Sequence, residues 1–106
     1  MIALKPGVKL TNLTPQVVLA ITVAEHIWWN AAQTTLVVTS CNDGQHKDGS
    51  LHYSGAAADL RIKTMPEKLR PVAVQQLIAA LGPDFDVLHE YIGTANEHAH
   101  VEFDPA

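Results

Sequence analysis

A single cysteine, Cys41, occurs in the 106 residues, so no disulfide can form within the chain and folding needs no oxidising compartment. The same scarcity excludes a zinc site closed by several thiolates, the common form of a structural zinc centre. Charged residues are few, at 17%, the formal net charge is −4, and no Lys/Arg run occurs. Phosphate binding needs a basic face, so nucleic acid is not expected as a partner. Long hydrophobic runs are missing too. The longest apolar stretch, Val17 to Ile27, is broken by Thr22, Glu25 and His26 and is too short to span a bilayer, so no membrane insertion is expected. The opening residues, Met1 to Gly7, have no basic segment followed by an apolar run and a small-residue cleavage site. The expectation is a chain made and folded in the cytoplasm, reaching any external target only after release by another factor. Ser54 lacks a Gly-x-Ser-x-Gly context, which argues against a serine hydrolase.

What is present suits one ordered domain over residues 1–106, expected as a monomer: a hydrophobic content of 47% supports a core, and the length leaves no room for a second. Thr14-Pro15 reads as a helix N-cap followed by proline at the first helical position. From Pro15 to about Ala32 the residues Val17, Val18, Ile21, Ala24, Ile27 and Trp28 recur at helical spacing. Thr34 to Thr39 is β-branched and reads as a strand, and Asn42 to Ser50, with two Asp-Gly dipeptides, as a loop or a hairpin-like excursion. Ala56 to Lys63 alternates, with Ala58, Leu60 and Ile62 on one face and Asp59 and Arg61 on the other. A second helix is expected from Met65-Pro66-Glu67 to about Leu81, stopped by Gly82-Pro83. Strands over Phe85–Ile92 and His98–Phe103 close the chain as an antiparallel hairpin. The order predicts an α+β fold, a small antiparallel sheet packed with helices. Cys41 is expected as a small buried hydrophobe, one of Trp28 and Trp29 in the core, and His26 at the surface or hydrogen-bonded in the core.

Six histidines are many for such a length, and His89, His98 and His100 fall within the last 18 residues. Two stretches carry the chemistry. In the first, His52 and Asp59 are joined by Ser54-Gly55 and the small residues Ala56-Ala57-Ala58, which let the backbone pass close to a metal or a neighbouring strand. The plain alternative is a loop histidine and an aspartate paired with Arg61 or a backbone amide. In the second, His98 and His100 alternate by two and share a strand face, so spacing alone enlists both as ligands or leaves both as exposed side chains. Glu97, at the strand entrance, is a candidate base that strand parity puts opposite His100. Glu90, across the hairpin, and Glu102, on the His100 face, are rivals. Two imidazoles and a carboxylate with an open fourth position are what a hydrolytic zinc site requires. Cobalt or manganese would suit the same donors.

The pattern Ser50-x-His52-x-x-Gly55-x-Ala57-x-Asp59 followed by Glu97-x-x-His100 resembles the LAS-type zinc peptidases, which include D-Ala-D-Ala carboxypeptidases, D,D-dipeptidases and phage L-alanyl-D-glutamate endopeptidases. The flanking Leu36-Val37-Val38-Thr39-Ser40 and His100-Val101-Glu102-Phe103 extend the resemblance over residues 35–104. It implies a Hedgehog/DD-peptidase-like fold, a zinc ion held by His52, Asp59 and His100, Glu97 as general base, and peptidoglycan stem peptides as substrate, as in an endolysin. Which bond is cut is not encoded in any readable residue.

One departure matters. Many members carry an arginine shortly after the Thr-Ser strand, for substrate or the developing oxyanion. Here the stretch is Cys41-Asn42-Asp43-Gly44-Gln45-His46-Lys47. His46 and Lys47 are the candidate replacements, with Arg61 a further one, and each also reads as an ordinary solvated or ion-paired residue; Ser50 is a further candidate for substrate binding. The missing arginine also leaves open a zinc-binding module of the same fold without turnover.

Overall fold

The computed structural model of the chain describes residues 1–41 and 56–105. In chain order the elements are β1 (Ile2–Leu4), α1 (Pro15–Ala32), β2 (Leu36–Ser40), β3 (Ala57–Arg61), a single 3-10 turn (Glu67–Leu69), α2 (Arg70–Leu81), β4 (Phe85–Glu90) and β5 (His98–Phe103). They form one α+β unit, with a five-stranded sheet ordered β1-β2-β3-β5-β4. Among the described residues, no helix is long and apolar enough to cross a membrane.

Local chemistry accounts for the element ends. Thr14 caps α1 by accepting from the Val17 amide through Oγ1 at 3.2 Å, and Pro15 takes the first helical position, where no amide is needed. Gln33 closes α1 in the left-handed region, its N–H donating to the Trp29 carbonyl at 2.7 Å. At the end of α2, Gly82 adopts a φ of 82° that a side chain would resist, and its N–H reaches the Ile78 carbonyl at 3.1 Å. The expected second helix is therefore split: Glu67–Leu69 is a 3-10 turn, and the α-helix proper begins at Arg70 with Pro71 in its first turn.

The sheet differs from the expected antiparallel one at its first edge. β1 was not anticipated, and it pairs parallel with β2, in the register Ile2↔Leu36 to Leu4↔Val38. A parallel neighbour needs a crossover, which α1 supplies. Three residues ending shortly before Pro6 carry no periodic signal, so only the pairing with β2 makes them a strand. Among the described residues all other pairings are antiparallel, with an irregularity between Val38 and Ser40 where β2 meets β3.

Both helices pack on one side of the sheet, α1 against β2, β3 and β5 and α2 against β4 and α1. The core between them contains Leu36, Val38, Ala58, Leu60, Ala99 and Val101 from the strands, and Val17, Ile21, Ala24, Trp28, Ala73 and Leu77 from the helices. Trp28 is fully buried, and its indole N–H donates to the Arg61 carbonyl at 2.9 Å, so the polar atom it brings into the core is satisfied. Trp29 is half exposed, His26 is exposed and Cys41 is buried. Because Ala58, Leu60, Ala99 and Val101 face the helices, strand alternation turns Asp59, Arg61, His98, His100 and Glu102 to the opposite face of the sheet.

Candidate metal centre

The register across β3 and β5 sets Asp59 opposite His100 and Arg61 opposite His98, and β4 adds Glu90 opposite His98. Cross-strand partners project on the same side, so four titratable side chains and Arg61 collect on the face away from the helices. Asp59 Oδ1 lies 2.7 Å from His100 Nδ1, and Glu102 Oε1 lies 2.8 Å from His100 Nε2. The imidazole is thus held between two carboxylates. Burial alone would lower its pKa, but the hydrogen bonds and charges of Asp59 and Glu102 prevail and raise it from 6.5 to about 9.

His98 is oriented from its other side. Its Nδ1 donates to the Asn96 carbonyl at 2.7 Å, which aims Nε2 at Glu90 Oε1, 3.1 Å away, and at Asp59 Oδ1, 3.6 Å away. A backbone carbonyl holding one ring nitrogen while the other faces carboxylates is the arrangement that prepares a histidine for a cation. The ligand atoms of Asp59, Glu90 and His98 all lie within 4.8 Å of one another, close enough to share one ion. A second group, Asp86, Glu102 and Asp104, is equally close but contains only carboxylates, and two of its members are exposed.

Of the residues expected from sequence, Asp59 and His100 come together, although 41 positions separate them. His46, Lys47, Ser50 and His52 lie outside the described residues, as does the expected Asn42–Ser50 loop. Glu97 goes elsewhere. Its side chain is almost wholly buried on the helix side, where Oε1 accepts from Arg70 Nη1 at 2.8 Å and from the Gly93 amide at 3.3 Å, while Oε2 meets His89 Nε2 at 2.7 Å. Burial would raise this carboxyl's pKa, yet the His89 and Gly93 hydrogen bonds and the Arg70 charge outweigh it and hold the group below the ordinary carboxylate range. Arg70 is anchored in turn by the carbonyls of Met65, at 3.0 Å, and Lys63, at 3.4 Å.

Sequence reasoning missed Arg70 and His89 as partners of Glu97. The His89 contact was within reach, since a β4–β5 hairpin places His89 opposite Ala99, next to the strand entrance. Arg70 stands 27 residues from Glu97 and no local pattern links them.

Beside the cluster, a cavity of about 620 Å³ is lined by Lys5, Thr39, Arg61, Lys63, Glu97 and His98, among others. No protein-family model and no curated protein matches the chain.

Proposed function

We propose that the chain is a zinc-dependent peptidase of the LAS type, with the Hedgehog/DD-peptidase-like fold, acting on peptidoglycan stem peptides. The observation that carries this reading is the 2.7 Å contact between Asp59 and His100, residues drawn from two separate motifs and brought to one face of the sheet. The donor set supports the fit. A carboxylate and an imidazole meet at one point, and the far nitrogen of that imidazole is held by Glu102, as a metal-ligating histidine is usually held by a partner outside the coordination sphere. His52, Asp59 and His100 would hold the ion, with His100 offering Nδ1.

When bound, zinc supplies Lewis acidity, lowering the pKa of a coordinated water towards neutrality and polarising the scissile carbonyl. The remaining work falls to the protein. Glu97 is the proposed base, taking a proton from the attacking water and passing it to the leaving amine. Its depressed pKa keeps it ionised, the form a base needs, and it lines the same cavity as His98 and Arg61. Acting there requires it to relax its hold on Arg70 or His89. Glu90 is the rival, because its carboxylate already stands 3.1 Å from His98 within the Asp59 cluster.

Hydrolysis of purified stem peptides by zinc-loaded protein tests the reading, with Glu97→Gln and Glu90→Gln compared. Turnover abolished by E97Q with zinc retained supports Glu97, and turnover abolished only by E90Q transfers the role to Glu90. No hydrolysis by zinc-loaded wild type removes the enzyme. A zinc-binding module without turnover would then stand in its place, with Asp59 and His100 keeping the metal.

A further inference from the structure

Three of the chain's seven lysines and arginines, Lys5, Arg61 and Lys63, line the cavity beside the Asp59–His98 cluster. That concentration is unusual in a chain of net charge −4. Arg70, by contrast, is bound to Glu97 at 2.8 Å. Among the described residues, the charged groups of Lys5, Arg61 and Lys63 make no hydrogen bond or ion pair. Lys5 engages through its backbone amide, which donates to the Val38 carbonyl, while Arg61 and Lys63 engage through their carbonyls, which accept from Trp28 Nε1 and Arg70 Nη2. Among the described residues, Glu97 is the one carboxylate lining the cavity, and it is already ion-paired with Arg70 and hydrogen-bonded to His89. Thr39, Thr64 and Asn96 add neutral polar groups to the lining.

Unpaired cations in a concave site focus a positive potential on whatever enters, and a planar guanidinium presents parallel donors that match a carboxylate. Arg61 is also well anchored. Its strand is pinned from beneath by the Trp28 indole, and its place opposite His98 sets the guanidinium beside the proposed hydrolytic centre.

We propose that this cavity is a carboxylate-binding subsite in which Arg61, flanked by Lys5 and Lys63, takes the free carboxylate of a short peptide. That the carboxylate belongs to a peptidase substrate rests on the function proposed above. That the cavity binds a carboxylate does not, and the two fail separately.

The test is a titration of the metal-free full-length chain with N-acetylalanine, and with its amide, followed by backbone amide NMR. The acid is expected to shift the resonances of Arg61, Lys63, Thr64 and Asn96 saturably, and the amide to bind about 10-fold more weakly or not at all, as loss of a charge-assisted hydrogen bond dictates. Arg61→Gln should weaken the acid by about 10-fold with the rest of the spectrum unchanged, and Arg61→Lys by less. Lys63→Gln serves as the second variant should R61Q lose its native spectrum. Equal responses to acid and amide, shifts away from the cavity, or undiminished binding by a folded R61Q or K63Q would overturn the proposal. So would a preference for inorganic phosphate over the acid. Repeating the titration after zinc is offered separates the readings: carboxylate binding by a chain that takes no zinc leaves the subsite standing and removes the peptidase.

Discussion

Replacing Arg70 by alanine should be among the most damaging single changes in this chain. Arg70 holds Glu97 at 2.8 Å, and the two side chains are only 14% and 3% exposed. Removing one partner of a buried ion pair leaves the other charge without compensation, at a cost of about 3–5 kcal/mol. His89, 2.7 Å from the other carboxylate oxygen, and the Gly93 amide remain and push the cost towards the lower end. The carbonyls of Met65 and Lys63 lose their donor as well, which adds about 1 kcal/mol. The expected loss is about 4 kcal/mol, or roughly 15–25 °C in Tm for a domain of this size. Denaturant unfolding at pH 7 measures it. Arg70→Met combined with Glu97→Gln should be less destabilised than Arg70→Ala alone, since no buried charge is then stranded. The pH dependence supplies a control. Glu97 has a folded pKa below its ordinary 4.5, so its contribution is complete above that value and disappears as pH falls through the folded pKa. The gap between wild type and R70A should close at acid pH. A loss under 1 kcal/mol at neutral pH would mean that Glu97 is not held beneath the sheet, and would free it for the open face.

Other consequences follow from the same geometry. His100, raised from 6.5 to about 9 by its two carboxylates, should stabilise the metal-free protein fully below pH 6.5 and lose that contribution as pH rises through about 9, so unfolding at pH 6 and pH 10 should differ in wild type and much less in His100→Gln. Trp28→Phe removes the indole that satisfies the Arg61 carbonyl within a fully packed core and should cost about 1–3 kcal/mol by thermal or denaturant unfolding. Thr14→Ala removes the α1 cap and should cost about 1 kcal/mol, while Thr14→Ser should cost little.

The regular elements were legible where their signals are local. Thr14-Pro15 and the apolar spacing after it gave α1 its observed bounds, Pro15–Ala32, and the alternation in His98–Phe103 gave β5. The buried face of β3 was readable for the same reason, since Ala58, Leu60 and Ile62 are all fully buried. Pairing across distance was not. β1 is three residues whose strand character comes only from the parallel partner that α1 delivers, and this made the sheet mixed instead of antiparallel. On α1, Val18 shares the helical spacing of the apolar residues yet lies half exposed, whereas Ala20, outside that spacing, is buried. Small residues and valines at the edge of a stripe do not report which side of it the neighbouring element covers.

The candidate site divides along the same line. Asp59 and His100 are paired in the sequence only through the family resemblance, since strand parity alone leaves His98 and His100 equal candidates, and it is the β3–β5 register that joins Asp59 to His100. The parity that set Glu97 against His100 was also readable, and Glu97 indeed turns towards α2. What could not be read was the destination of its carboxylate. Arg70 begins the helix after a 3-10 turn, and only the packing of α2 on β4 brings it beside the β4–β5 connection. The cationic cavity was hidden in the same way, because Lys5, Arg61 and His98 come from three different segments and meet only once the sheet is assembled.

The most direct test of the account is the zinc content of the purified protein after exhaustive dialysis, measured by elemental mass spectrometry for wild type, His52→Ala, His98→Ala and His100→Ala. About one zinc per chain, lost in H52A and H100A and retained in H98A, is the predicted result. No zinc in the wild type, even after zinc is offered, would contradict the metal centre and with it the peptidase.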